Sequence, residues 1–403
     1  MSLTLLLDLD DTLLDTNLDA FMPAYFQALS QHLLKHAAPE AMLRALISGM
    51  NLMNESEDPT QTLEEIFDAD FYPNLGITKR DLVDVLDDFY DNVFPQLNQH
   101  THRLPDAADF IDWALSCGFR IAIATDPFFP RKATYHRLRW AGFDPEQFEL
   151  VSTFEHFHFS KTHPAYYAEV LGRLGWPEGP ALMVGNDVAR DIMPAHRLGL
   201  KTFLVDGGSS SGTAAANAVQ DNVPAGRGKL ADLRPWLESA NPAMLEPSFK
   251  ARDATLAIMA STPAILRSLS AALTDEQWRQ EPTEEDWAMN EILCHLRDTE
   301  IEIHQMQIKL MTDKESAFIP RPDSGVWASE REYLNIDGKS ALTEFAQARI
   351  ENLKSLKSVG ELMWSRSARH AIFGPTNFLE VISFMADHDR LHVQQAWKTI
   401  KSV

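Results

Sequence analysis

The chain has 403 residues, room at roughly 150 residues per domain for two or three cores, and 45% of them are hydrophobic and 23% charged, as in a globular protein. Lys and Arg number 36 against 58 Asp and Glu, a formal charge of -22 that opposes binding to a polyphosphate backbone and removes nucleic acid from the expected partners. Two cysteines, Cys117 and Cys294, cannot build a disulfide framework, and neither a basic leader nor an uncharged apolar run of about eighteen residues is present; the expectation is a cytoplasmic protein without a membrane partner.

In chain order, apolar strand-like runs (LTLLLDL, FRIAIAT, ALMVG and KTFLV) alternate with helical stretches as far as Val205. That alternation predicts βαβ units and an α/β fold with a parallel sheet. The stretch from about 16 to 100 is helical in pattern and interrupts the first two strands, which predicts a helical lid over the carboxyl end of the sheet, where ligands of open α/β sheets bind. Gly207 to Lys229 lacks periodicity and reads as a loop; Lys229 to Glu238 closes the first domain as a helix. The first domain is therefore placed at 1–240. From 248 to 403 the strand-like runs disappear and apolar residues recur at three- and four-residue spacing, so the second half is expected to be all-helical.

The first strand ends in Asp8, Asp10, Asp11 and Thr12. Crowded carboxylates raise one another's pKa unless a cation or proton compensates, and oxygen ligands favour magnesium. Taken alone, the segment also admits a strand followed by a solvated acidic turn, the lesser of the two readings. Three further strand ends add Thr125, Lys161, and Asp187 with Asp191, which together compose a site.

This ordered set resembles the haloacid dehalogenase superfamily over Leu3 to about Glu238, and the resemblance implies a Rossmann-like parallel sheet with an inserted helical cap. It further implies Asp8 as the nucleophile that forms an aspartyl phosphate and Asp10 as the acid and base. Thr125 and Lys161 would donate to the transferred oxygens, and Mg2+ would be held by Asp8, the Asp10 carbonyl and Asp187, with Asp191 orienting Lys161 or a metal-bound water. Asp10 favours phosphoryl transfer over carbon-halogen hydrolysis, since only the former needs a group that protonates an alkoxide. Two departures stand out. The fourth motif reads Gly185, Asn186, Asp187, leaving Asn186 and Asp187 as competing ligands with Asp187 favoured, and Thr162 and His163 separate Lys161 from Pro164. Asn17, Phe21 and Tyr25 share a cap-helix face, where they serve either the core or substrate selection.

In the second half, His388 and His392 are spaced i and i+4, so one helix stacks their imidazoles on one face. His295 lies among Ile292, Leu293 and Leu296 and points to a bundle interior. Each feature alone fits an ordinary structural histidine. Residues Ser248 to Val403 together resemble the DinB-like metal-binding four-helix bundles, and that resemblance implies His295, His388 and His392 as three ligands of Zn2+ or Ni2+ with one open position. Asp387 and Asp389 read as solvated charges, and Cys294 as a packed thiol.

The leading expectation is a magnesium-dependent phosphatase of a small phosphorylated metabolite, a nucleotide or sugar phosphate, fused to a three-histidine metal domain. The alternatives are a metal-dependent transferase or hydrolase centred on the bundle, and a metabolite-sensing regulatory protein. The bundle is also a candidate homodimer surface.

Overall fold

The computed structural model describes residues 3–206, 223–283 and 286–403. The chain divides into two compact units, Met1–Val170 with Glu178–Ser248 and Leu171–Pro177 with Phe249–Val403.

In the first unit the wholly apolar run Thr4–Leu7 (β1) is buried on both faces because it lies in the middle of a parallel sheet. With Arg120–Ile123 (β4), Leu150–Val151 (β5), Ala181–Gly185 (β6), Lys201–Val205 (β7) and Gly226–Gly228 (β8), it forms the order β5-β4-β1-β6-β7-β8. The four longer strands are those the apolar runs predict. The edge strands β5 and β8 are two and three residues long and carry no apolar alternation of their own, so only sheet pairing defines them. Of the segment predicted as a loop, 207–222 lie outside the described residues and the remainder contains β8.

The chain leaves β1 to pair β4 on one side and β6 on the other, with Leu7 facing both Ile123 and Val184. This is the reversal of strand order at which open sheets bind ligands. Between β1 and β4, Leu14–Thr16 (β2) pairs antiparallel with Thr101–Arg103 (β3), and this two-stranded stalk brackets the helical excursion. The excursion holds Leu18–His32 (α1), Pro39–Glu55 (α2), Leu63–Leu75 (α3) and Lys79–Asp88 (α4), followed by a π-helical turn Phe89–Val93. Asn17 caps α1 through Ala20 N, and Thr62 with Glu65 forms a reciprocal capping box on α3. Phe21 and Tyr25 are buried in the core of this cap, which also takes in Ala133 of Arg131–Ala141 (α6 after Pro105–Ser116, α5).

The second unit contains four long helical segments: Arg252–Ser270; Met289–Asp298 continued by Gln305–Asp313; Gly338–Ser358; and Phe378–Ser402. The second is joined through a π-helical turn, Thr299–His304. Against the all-helical expectation, a small sheet β11-β10-β9 is also present, from Ala317–Ile319 (β9), Ser367–His370 (β10) and Gly374–Asn377 (β11). Strands of three or four residues are too short for a period to show in sequence. Among the described residues no helix is long and apolar enough to cross a membrane.

Candidate functional sites

Asp8 directly follows β1, and its amide continues the ladder by donating to the Val184 carbonyl at 2.9 Å. The backbone then folds back sharply. The Leu13 and Leu14 amides both donate to the Leu9 carbonyl, and Asp11 takes φ 56°, a left-handed conformation that Asp tolerates better than most residues. This turn presents Asp8, the Asp10 carbonyl and Thr12 together. Thr12 Oγ1 donates to Asp8 Oδ2 at 3.1 Å, and Lys161 Nζ donates to Asp8 Oδ1 at 2.6 Å. Lys161 also forms a short ion pair with Asp191, and all three groups are buried. Burial works against the Lys161 charge, but Asp191 and Asp8 outweigh it and hold the ammonium well above its ordinary pKa. Asp191 is pushed up to about 7 by burial and by Asp8, with Lys161 opposing. Two carboxylates thus share one ammonium, leaving an excess negative charge.

The fourth motif resolves differently from the favoured reading. Asp187 Oδ1 accepts from the Ala189 and Arg190 amides at 2.8 and 3.1 Å, capping the π-helical turn Val188–Ile192. One of its two oxygens is thus engaged by helix amides, which counts against the expectation of Asp187 at the metal. Asn186 is the one of the two that faces Asp8. Its side-chain amide faces the Asp10 carbonyl at 3.1 Å and Asp8 Oδ2 at 3.2 Å; with its nitrogen turned inward it donates to both, and with its oxygen inward it completes a set of three oxygens. Such a donor set suits a hard dication. Gly185 makes room for this arrangement, because a Cβ there would fall 2.2 Å from Asp191 Oδ2. Thr125 is buried two residues beyond β4, where its carbonyl accepts from Ser152 Oγ at 2.6 Å and Tyr166 Oη at 2.8 Å.

Asp10 has partners that the motif reading missed. Its Oδ1 accepts from Thr16 Oγ1 at 2.8 Å, and its other oxygen pairs with Arg137, a buried guanidinium on α6. Arg137 lies in the buried stripe Ala133, Thr134, Arg137, Leu138, Ala141. A cation at an apolar stripe position was the available signal. Asp126 was missed too; it pairs with Arg190 and accepts from the Lys161 amide, so it braces the lysine loop.

In the second unit, the helix Met289–Asp298 supplies His295, and the helix Phe378–Ser402 supplies His388 and His392. Their Nε2 atoms converge: His388 lies 3.1 Å from His295 and 3.2 Å from His392. Corners of a tetrahedron with metal-nitrogen bonds of ~2.05 Å lie about 3.3 Å apart, so the spacing fits ligands of one ion. His392 Nδ1 is engaged by Gln395 Oε1 at 2.9 Å, which leaves its Nε2 lone pair facing inward. Burial lowers all three imidazoles, His295 to about 3, with neighbouring histidines adding to the effect at His295 and His388. They therefore stay neutral, as ligands must. Trp287 stacks on His392 at 5.8 Å and walls the cluster.

Asp387 is exposed beside Arg390, but Asp389 is fully buried, which corrects its reading as a solvated charge. Arg349 provides the reason. Its guanidinium reaches Asp389 Oδ1 at 3.0 Å, both Glu300 oxygens at 2.8 Å and the Met259 carbonyl at 2.8 Å. Asn352 and His304 also hold Glu300, at 2.7 and 2.8 Å. Burial alone would raise Glu300, yet Arg349 and His304 outweigh it and hold the carboxyl well below the ordinary range. Glu300 and His304 both sit on a π-helical turn, a feature enriched at functional sites. Cys294 is buried, and its thiol is pushed up to about 11 by that burial.

No curated relative matches the chain significantly. Residues 5–205 match the family model described as haloacid dehalogenase-like hydrolase, and 259–396 match the DinB superfamily model. Similar solved structures include a 2-haloacid dehalogenase from Pseudomonas syringae (19% identity, 59% of this chain and 99% of the other, TM-score 0.42) and a HAD phosphatase from Thermococcus onnurineus (19%, 59% and 98%, 0.38). YfiT from Bacillus subtilis, described as having an unusual four-helix bundle topology, is 16% identical over 38% of this chain and 88% of its own, with TM-score 0.35. By these family matches the chain is a hydrolase whose residues 5–205 belong to the haloacid dehalogenase-like hydrolases and whose residues 259–396 belong to the DinB superfamily.

Proposed function

We propose that the first unit hydrolyses phosphate monoesters through a covalent intermediate on Asp8, with magnesium held by Asp8, the Asp10 carbonyl and Asn186. The observation that carries this reading is the division of labour at Asp8: Lys161 neutralises one oxygen, while the other faces the Asn186 amide and the Asp10 carbonyl. Asp8 attacks phosphorus as the ester P–O bond breaks, and the departing oxygen takes its electron pair and a proton from Asp10. A water oxygen then attacks the phosphoryl group as Asp10 takes the water proton, and the P–O bond to Asp8 breaks to restore the carboxylate. Lys161 and Thr125 donate to the equatorial oxygens, and Arg137 with Thr16 orients Asp10 and stabilises the carboxylate it becomes once its proton has passed to the leaving oxygen. Magnesium, when bound, offsets negative charge on the phosphoryl oxygens. Asp8→Asn keeps the shape and removes the nucleophile; phosphate release from an aryl phosphate should fall more than about a thousandfold. Retained turnover in that variant would refute the assignment.

The convergence of three Nε2 atoms supports a second centre, in which His295, His388 and His392 hold zinc or nickel with one position open. His388→Ala should lower the transition-metal content of purified protein to below a tenth of an equivalent without changing phosphate release. Unchanged metal content would remove the centre.

A further inference from the structure

Helices α1 to α4 and the loops after β4 and β5 enclose a cavity of about 310 Å³ in the first unit. This is roughly twice the ~150 Å³ apolar cavity that accommodates benzene. Its walls include Tyr25, Phe67, Phe71 and Tyr72 from the cap and Phe129 and Phe154 from the loops. The polar groups nearby are largely engaged with one another. The Tyr25 and Tyr90 hydroxyls pair at 3.0 Å, Lys79 is held by Glu64 at 2.6 Å and Asp68 at 2.7 Å, and Lys132 by Asp87 at 3.0 Å and Asp91 at 2.8 Å. A second phosphate or a carboxylate would have to displace two acids from either lysine or pair with Arg131, which is exposed to solvent, and a sugar would bury hydroxyls against rings that offer them few partners.

Glu155 departs from this pattern. Glu155 Oε1 accepts from the Arg131 amide at 2.7 Å, while Oε2 is buried and, among the described residues, has only its own amide and the Thr153 hydroxyl near it, neither in good hydrogen-bond geometry. Phe129 ties the cavity to the chemistry: it lines the wall, and the Arg137 guanidinium that pairs with Asp10 lies 5.0 Å from its ring centre. Two side chains, Phe129 and Arg137, thus link the cavity wall to Asp10.

We propose that the cap cavity binds the alcohol portion of the substrate and selects a largely apolar, ring-bearing group with at most one hydrogen-bond donor, placed against Glu155, in preference to a nucleotide or sugar. This rests on the phosphatase reading above for the turnover it predicts, though not for binding. Leaving groups of similar reactivity give the fair test: 2-phenylethyl phosphate against glycerol 1-phosphate and glucose 6-phosphate, all primary alkyl esters, with the full chain and magnesium. The phenylethyl ester should show kcat/KM at least tenfold higher. Met50, half-buried in the cavity wall, is near-isosteric with Gln; Met50→Gln should cut that preference about fivefold and leave inhibition by orthovanadate, which engages only the phosphoryl end, unchanged. Turnover of all three esters with equal kcat/KM would overturn the proposal. Calorimetric binding of 3-phenylpropylphosphonate against 3-hydroxypropylphosphonate reads the pocket without catalysis. Tenfold tighter binding of the former with no turnover of any ester would refute the phosphatase reading and keep the pocket, whereas equal binding would refute the pocket.

Discussion

Both units bury two carboxylates around a single cation, Asp8 and Asp191 on Lys161 in the first and Glu300 and Asp389 on Arg349 in the second. The stoichiometry is the same and the electrostatic outcome is opposite. Arg349 presents a planar fork that contacts both acids and a carbonyl at once, and Asn352 and His304 supply further contacts to Glu300. Glu300 is consequently held below its ordinary range. Lys161 is a point charge shared between its acids, and it does not offset the burial and the Asp8 charge that raise Asp191. A satisfied network fixes a structure, whereas an unsatisfied one leaves room for a further positive charge. The contrast accords with the proposal that the first network reacts while the second braces the helix that carries His388 and His392.

Removing each cation's counterpart is the sharpest way to break this comparison. Arg349→Met should leave two buried acids without their guanidinium and cost about 3–5 kcal/mol, read as a lower urea midpoint for the second unit's transition in the full chain. The same network sets a pH dependence. Because the folded pKa of Glu300 is depressed, its contribution is fully present above the unfolded carboxylate value and is lost as pH falls from about 4.3 through the depressed value. The thermal midpoint of that transition should drop on acidification, and Glu300→Gln should flatten the slope. An unchanged slope would contradict the assignment.

Neutralising one acid in each unit should give opposite signs. Asp389→Asn breaks a charge-assisted pairing and should destabilise the bundle by about 2 kcal/mol. Asp191→Asn removes surplus charge from Asp8 and Lys161 and should stabilise the first unit by up to about 1 kcal/mol while lowering phosphate release, a trade familiar at strained sites. Thermal scans of both variants beside the parent measure the pair. Destabilisation in both would mean that the two networks are equally complete.

The sites differ as much in how far the sequence reveals them. The i, i+4 pair His388 and His392 is legible because one helix fixes its geometry, and β1 is legible because a buried parallel strand is apolar throughout. Arg349 and Arg137 were not read, since each occupies a helical stripe otherwise filled mostly by apolar residues and its meaning depends on an acid far away in the chain, Glu300 or Asp10. The distinction between Asn186 and Asp187 also lay beyond the pattern. Adjacent residues after a strand point in opposite directions, and which one faces Asp8 is decided by the helix amides that capture the other.

That last distinction yields the smallest effects and the cleanest signs. Asn186→Asp places an anion where an amide now faces Asp8 and the Asp10 carbonyl, so without magnesium it should destabilise the first unit, and with it the metal should bind about tenfold more tightly. The magnesium concentration giving half-maximal phosphate release measures this directly. Asp187→Ala, by contrast, removes only a cap: it should cost about 1 kcal/mol and leave magnesium dependence within about twofold. If instead the magnesium requirement rises tenfold in Asp187→Ala and stays constant in Asn186→Asp, then the capping carboxylate must leave the helix amides to reach the ion, and the ligand assignment reverses.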